Sequence, residues 1–257
     1  MILCFDIGNT DIDVGVFEND MHIKDFHIPY QKEQSCWTYL GGILKALKTN
    51  DIKPEEVKGS ILCSVVENST QGVYEAMEIA FSHKPVLFEN NEKFTGIKIK
   101  TDYPEQVGLD IIAGCITTKE KYSLPAIVVD MGTGTTLTAM DGNGDILGVS
   151  IVPGVIIALE ALNMRTGLPI DTTLSLPPAV IGKNTADSIA SGTVLGNVYL
   201  MDGLIAAMEK EIGCSCNVYA TGGISKVIMP LCSHSRTIND NLLLEGLYIY
   251  YKRVKGL

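Results

Sequence analysis

The sequence predicts an α/β protein made of two similar halves, and three observations predict it. A strand–Asp–apolar–Gly–turn–strand unit at Asp6-Ile7-Gly8-Asn9-Thr10 recurs at Asp130-Met131-Gly132-Thr133-Gly134. The offset of 124 residues (130 − 6) is about half of the 257-residue chain, as an internal duplication requires. Strand-period and helix-period segments alternate through both halves. With 46% hydrophobic and 19% charged residues, a chain of this length buries one large core or two smaller ones without disulfides or a structural metal.

The elements follow in order. Ile2–Phe5 is an apolar run ending at Asp6, Gly8-Asn9-Thr10 is turn chemistry, and Ile12, Val14 and Val16 alternate in strand period. A strand at Ser60–Val66 lies between helical patterns at Trp37–Leu47 and Gln71–Phe81. A short strand at Pro85–Phe88 leads into the polar loop Glu89–Lys93, and Pro104 is expected to open a long helix reaching Tyr122. The second half restarts with the apolar run Ala126–Val129 before Asp130, the turn Gly132–Thr136 and a return strand from Leu137 to Met140. A helix at Gly154–Met164, a Pro-bearing loop at Leu168–Pro178 and a long helical region at Thr185–Ile212 come next. Val218–Ala220 is a strand, Thr221-Gly222-Gly223 turns into a helix, and Leu242–Val254 is a terminal helix. The Asp141-x-Asn143-x-Asp145 spacing resembles a calcium loop, but Ile146 stands where such a loop needs Gly, so the segment reads as a hairpin turn.

The net charge is −10, from 20 basic against 30 acidic residues, and no basic block occurs. Nucleic acid and an anionic membrane surface are therefore not expected partners. Nucleotide phosphates, held by backbone N–H groups and Mg²⁺, remain compatible with an acidic protein. No uninterrupted run of about 18 apolar residues is present, so a spanning helix is not expected. The absence of a basic segment before Asp6 and an odd set of seven scattered cysteines read as reduced thiols in a cytoplasmic protein. Cys214 and Cys216, one residue apart and far from the four histidines, make no zinc signature.

Three signals carry chemistry. Asp6 ends a strand beside a turn in which Gly8 lets the backbone approach a ligand, while Asn9 and Thr10 add small polar groups. A carboxylate placed so can hold Mg²⁺, directly or through water, while turn amides face phosphate oxygens. An isolated copy would read as an ordinary Asx turn; the second copy at Asp130–Thr136 favours a phosphate clamp of two loops facing across a cleft. In a nucleotide enzyme Gly222 and Gly223, between a strand and a helix, would cover the adenosine. Asp110 lies in an apolar helical stretch, with Gln106, Val107, Ala113 and Gly114 at helical spacing and no local cation. Such an acid has a raised pKa and suits a general base for a hydroxyl, or else pairs with a distant Arg or Lys.

Taken together the motifs resemble the type III pantothenate kinase family, within the acetate kinase/Hsp70/actin-like superfamily. The resemblance covers nearly the whole chain. It rests on Asp6 to Thr10, Pro104 to Asp110, Asp130 to Thr136, Pro153-Gly154, Leu168-Pro169 and Gly182-Lys183-Asn184-Thr185. Ser191-Gly192, Asp202-Gly203, Thr221-Gly222-Gly223 and Leu244-Glu245-Gly246-Leu247 extend it. It implies an α/β fold of two duplicated ribonuclease-H-like domains, the actin-like ATPase fold, around a central cleft, here 1–114 and 115–257. The implied reaction is ATP-dependent phosphorylation of the pantothenate hydroxyl, the first step of coenzyme A biosynthesis. Through the resemblance, Asp6, Gly8, Asn9 and Thr10 handle phosphate and Mg²⁺, and Asp110 is the general base. Thr133, Thr135 and Thr136 contact ATP phosphates, and Asp130 lies near a monovalent cation, K⁺ or NH₄⁺. Gly108 and Thr185 fall on the acceptor side, with Thr185 reaching the pantothenate of the neighbouring protomer in a homodimer.

Three positions depart from the family pattern. Ile111 replaces an Arg after the catalytic Asp, Thr101 replaces a Tyr, and Ile189-Ala190 replaces Met-Gln. All three are expected on the acceptor side, and loss of the Arg contact is expected to cost about 1.5–3 kcal/mol of carboxylate binding. Arg165 and Lys183 are candidates to supply the missing charge, although surface charge is the commoner fate of such residues. A kinase of another small hydroxyl compound and an inactive nucleotide-binding relative are the competing readings.

Overall fold

The computed structural model describes residues 1–29, 32–167 and 174–257. The chain forms two compact units, each discontinuous in sequence. Met1–Lys98, Tyr103–Glu120 and Asn241–Leu257 make the first, and Ile99–Asp102 with Lys121–Asp240 the second.

In the first unit, β1 (Ile2–Ile7) pairs antiparallel with β2 (Asp11–Glu18), which pairs antiparallel with β3 (Met21–Pro29). After α1 (Cys36–Thr49), β4 (Gly59–Ser64) joins the other side of β1 in parallel; after α2 (Glu67–Phe81), β5 (Val86–Leu87) completes the order β3-β2-β1-β4-β5. The short α3 (Glu92–Thr95) and α4 (Leu109–Lys121) follow. Side chains alternate along β1, so Leu3, Phe5 and Ile7 point to one face and Cys4 and Asp6 to the other. The first face carries the core: α1 presents Tyr39, Ile43 and Leu47 at a four-residue spacing, and α2 presents Val73, Ala76 and Met77. Ser35 caps α1 by accepting from the Thr38 N–H. The C-terminal helix (Leu242–Lys255) belongs to this unit. Thr117 Oγ1 of α4 donates to Leu242 O at 2.6 Å, and the Arg253 guanidinium donates to the carbonyls of Phe94 and Thr95 at 2.9 and 2.6 Å.

The second unit repeats the plan. β6 (Ala126–Met131) pairs antiparallel with β7 (Gly134–Met140), which pairs with β8 (Ile146–Pro153). Helices α5 (Val155–Thr166), α6 (Thr185–Ala190) and α7 (Gly196–Ile212) follow, with a π turn at Ser191–Leu195 between the last two. Then come β9 (Asn217–Thr221), α8 (Ser225–Ile228) and β10 (Arg236–Ile238). β9 joins β6 in parallel and β10 joins β9, giving β10-β9-β6-β7-β8. Numbered within its own unit, each sheet has the order 3-2-1-4-5 with the same strand directions. Ile127, Val129, Leu137, Val198, Met201 and Ile205 anchor the second core.

Three expectations change. The helix expected from Pro104 begins at Leu109 instead: Pro104–Gln106 is a 3₁₀ turn and Val107 is extended. Asp110 is therefore in the first turn of α4, and Gln106 and Val107 are not its helical neighbours. The 114/115 boundary falls inside α4, and the C-terminal helix packs with the first unit, because α4 and that helix are bonded to each other. Thr185–Ile212 is a continuous helical run of 28 residues, long and apolar enough by composition to cross a bilayer. Here it docks Val198, Met201 and Ile205 on the sheet, and its Asp202 carboxylate accepts from the Ser233 N–H. The Leu168-Pro169 motif and most of the loop expected before Leu174 lie outside the described residues.

Candidate active site

The repeated aspartates occupy equivalent places. Asp6 is the fifth of six residues in β1, and Asp130 the fifth of six in β6. Each stands one residue before the strand ends, which sets its carboxylate at the carboxyl edge of a sheet, where ligands of open α/β sheets gather.

Around Asp6 the register lines up one side chain from each of four adjacent strands: His27 of β3, Asp13 of β2, Asp6 itself and Cys63 of β4. The row grades from solvent to interior. His27 Nδ1 meets Asp13 Oδ1 at the exposed end, while Asp6 is 8% and Cys63 0% exposed. The Cys63 thiol is level with Asp6 on the same face of the sheet. Burial first, then the negative charges of Asp6 and Asp110, push this thiol well above its ordinary pKa, so it stays protonated. Next to Asp6, the Gly8 N–H donates to Asp11 O at 3.1 Å and closes the turn; Asn9 and Thr10 are exposed, and Lys32 Nζ donates to Asn9 Oδ1 at 2.8 Å.

Asp110 Oδ1 accepts from the Ile111 N–H at 2.8 Å. Burial raises its carboxyl pKa above the ordinary range, and the N–H groups of Ile111 and of Asp110 itself oppose the rise. Among the described residues no Lys or Arg forms an ion pair with it. A Cβ at Gly108 would fall 2.3 Å from Asp110 Oδ1, so glycine leaves the carboxylate its place.

In the second unit Thr136 and Thr221 flank Asp130 in register, and the Gly132 N–H donates to Gly134 O at 3.0 Å. Thr133 is exposed, and Thr135 Oγ1 is buried with no hydrogen-bond partner among the described residues. Gly154 lies on this turn: a Cβ there would fall 2.1 Å from Thr133 O and 2.6 Å from Gly132 O. Gly222 has φ +84°, and a Cβ on it would meet the Met131 carbonyl at 2.6 Å and Asp130 Oδ1 at 2.7 Å, so only glycine fits. Gly223 beside it is exposed. The Asp130 carboxylate and the Met131 carbonyl thus both border the place of a Gly222 side chain, oxygen donors of the kind a hard cation takes. The Asp6 carboxylate is a hard oxygen donor, the kind Mg²⁺ takes together with water and phosphate oxygens.

Thr185 opens α6 and lines a cavity of 750 Å³ between α5 and the α6–α7 run. Val155, Leu159 and Leu162 form its apolar wall, and Lys183, Asn184 and Asn197 its polar one. Arg165 is not among the lining residues. Sequence reasoning missed Lys32, Asp13 and Cys63: only the strand register and the path of the chain after β3 bring them to the Asp6 turn.

Two five-stranded sheets of identical order, each with an aspartate at the edge of its first strand, define a duplicated actin-like, ribonuclease-H-like α/β protein. Solved structures agree on the fold. A Campylobacter jejuni protein, described as a proposed Baf family transcriptional activator, superposes with a TM-score of 0.64 at 20% identity over 99% of this chain and 100% of its own. The inorganic polyphosphate/ATP-glucomannokinase of Arthrobacter sp. strain KM gives 0.50 at 11% identity over 100% and 99%. The family model for type III pantothenate kinase matches residues 2–207. A type III pantothenate kinase of Syntrophus aciditrophicus (strain SB) is 35% identical over 253 residues, 98% of this chain and 99% of the relative. The chain belongs to the type III pantothenate kinase family.

Proposed function

We propose that the protein transfers the γ-phosphoryl group of ATP to the hydroxyl of pantothenate, in the cytoplasm, as a step of coenzyme A biosynthesis. The observation that carries the reading is the aspartate set one residue before the end of the first strand in both sheets, Asp6 and Asp130, each beside its glycine turn, in a chain of this family. Phosphoryl transfer asks a protein for in-line positioning and charge neutralisation rather than covalent chemistry. Asp6 would hold Mg²⁺, which when bound neutralises charge on the β- and γ-phosphates. Gly8, Asn9 and Thr10 of the first turn, Thr133, Thr135 and Thr136 of the second, and Gly222 and Gly223 would hold the nucleotide. Asp130, with the neighbouring backbone carbonyls, would hold K⁺ or NH₄⁺. Asp110 would accept the hydroxyl proton: its raised pKa brings it closer to the working pH of a general base.

Gly108 and Thr185 would serve the acceptor. We place Thr185 at a homodimer interface, where it would reach the partner's acceptor. Near the cavity, Val180, Ile181, Leu162 and Met164 are exposed, as are Tyr199 and Leu200 on α7, an apolar surface suited to a second copy. Lys183, which lines the cavity beside Thr185, is the cation that would replace the absent Arg at Ile111.

Ile111 also supports a second reading, a kinase for an uncharged hydroxyl acceptor. Steady-state rates with pantothenate and with its neutral alcohol analogue separate the two. On the pantothenate reading, Lys183→Ala raises KM for pantothenate about tenfold or more, the worth of a charge-assisted contact, and leaves the analogue's KM unchanged. Preference of the wild type for the neutral acceptor would overturn the pantothenate assignment.

A further inference from the structure

Cys63 is a fully buried thiol for which the reaction has no covalent use. β4 nevertheless sets it level with Asp6, on the sheet face that Asp6 shares, and buries it there completely. On the other side of Asp6, β2 sets Asp13 level with it, and Asp13 is held by His27. Asp6 thus stands between a second acid and a donor. Left to itself, a carboxylate beside another carboxylate turns away from it or takes up a proton. A neutral donor on the opposite side favours one rotamer. The second unit shows the contrast. There the two positions level with Asp130 are Thr136 and Thr221, hydroxyl groups on both sides and no second acid.

We propose that Cys63 is a positioning residue: its S–H hydrogen bond fixes the Asp6 carboxylate in the orientation that receives nucleotide-bound Mg²⁺. The inference rests on Asp6 serving the metal–nucleotide complex, and not on the identity of the acceptor. The thiol takes no part in bond making. Removing it leaves the strands in place and frees the carboxylate to leave that rotamer, turning away from Asp13.

Titration calorimetry of ATP into the full-length protein, with Mg²⁺ and with chelator, tests this on wild type, Cys63→Ala and Cys63→Ser. Cys63→Ala is expected to weaken Mg²⁺-dependent ATP binding about tenfold, the usual cost of losing the group that orients a metal ligand, and to leave metal-free binding unchanged. Cys63→Ser keeps a donor and is expected to recover most of the loss. In turnover assays the same order should appear in kcat, with KM for the acceptor unchanged. Both variants are less well packed than wild type, so thermal unfolding distinguishes a fold defect, which would lower both together, from the recovery by Ser alone. Mg²⁺-dependent affinity in Cys63→Ala equal to wild type, or Cys63→Ser as weak as Cys63→Ala, overturns the proposal. Because the titration needs no acceptor, a wild type that binds Mg²⁺ and ATP but leaves pantothenate untouched would strike the acceptor assignment alone.

Discussion

Asp110→Asn is expected to lower kcat by about 10²–10⁴-fold, the range for a positioned general base, while ATP affinity stays at the wild-type value. The side chain keeps its size and its place in the first turn of α4, and only the ability to take a proton is lost. The same substitution carries a stability signature of opposite sign. Burial holds the Asp110 carboxyl above its unfolded pKa, so ionising it in the folded protein is unfavourable. The stability linked to this group is fully present below the unfolded value of about 3.9 and is lost as pH rises through the folded value. Asn removes that loss. The variant should therefore melt at a higher temperature than wild type at neutral pH, and the gap should close on acidification to about pH 4 and below. In the wild type, the acid limb of kcat/KM should lie above the position of an ordinary carboxylate. A variant with normal turnover would remove Asp110 from the chemistry.

Gly154→Ala is the second large effect. Gly154 has φ −61° and ψ 149°, a conformation open to any residue, so backbone freedom does not demand glycine there. Space does. The added methyl would fall 2.1 Å from Thr133 O, a backbone atom that cannot rotate away, so the 132–134 turn must move. Overpacking of this kind costs about 1–3 kcal/mol, and here it is directed into the turn that would carry the phosphates. ATP affinity should fall about tenfold or more, with far-ultraviolet circular dichroism unchanged. Unaltered ATP binding would show that the Asp130 turn does not serve the nucleotide.

The legible parts of this molecule were those whose cause is local. β1 and β6 are buried apolar runs closed by an aspartate, and the Gly turns that follow are written in adjacent residues, so the duplication could be read directly. The matching sheet orders bear it out. β3 escaped notice because, as an edge strand, it alternates exposed residues such as Met21 and Ile23 with few buried ones. β10, with only three residues, offers too short a pattern. The break before Asp110 escaped as well. Pro104 begins a helical turn as its fixed φ favours, but Val107 is extended and Gly108 follows, and no spacing rule shows that the chain restarts there. Asp110 could be picked out as an acid among apolar residues. Cys63, level with Asp6 across the sheet, could not, because that placement depends on the β1–β4 register. Lys32 at Asn9 is a lone cation in a polar stretch and carries no sequence signal.

On the assignment made above, this chain moves the γ-phosphoryl group of ATP onto pantothenate. Incubating the purified wild type with γ-labelled ATP, Mg²⁺, K⁺ or NH₄⁺ and pantothenate, and separating the products, measures this directly. The expected result is label in phosphopantothenate with one ADP formed per labelled product. Label appearing only in inorganic phosphate, or remaining in ATP, would contradict it.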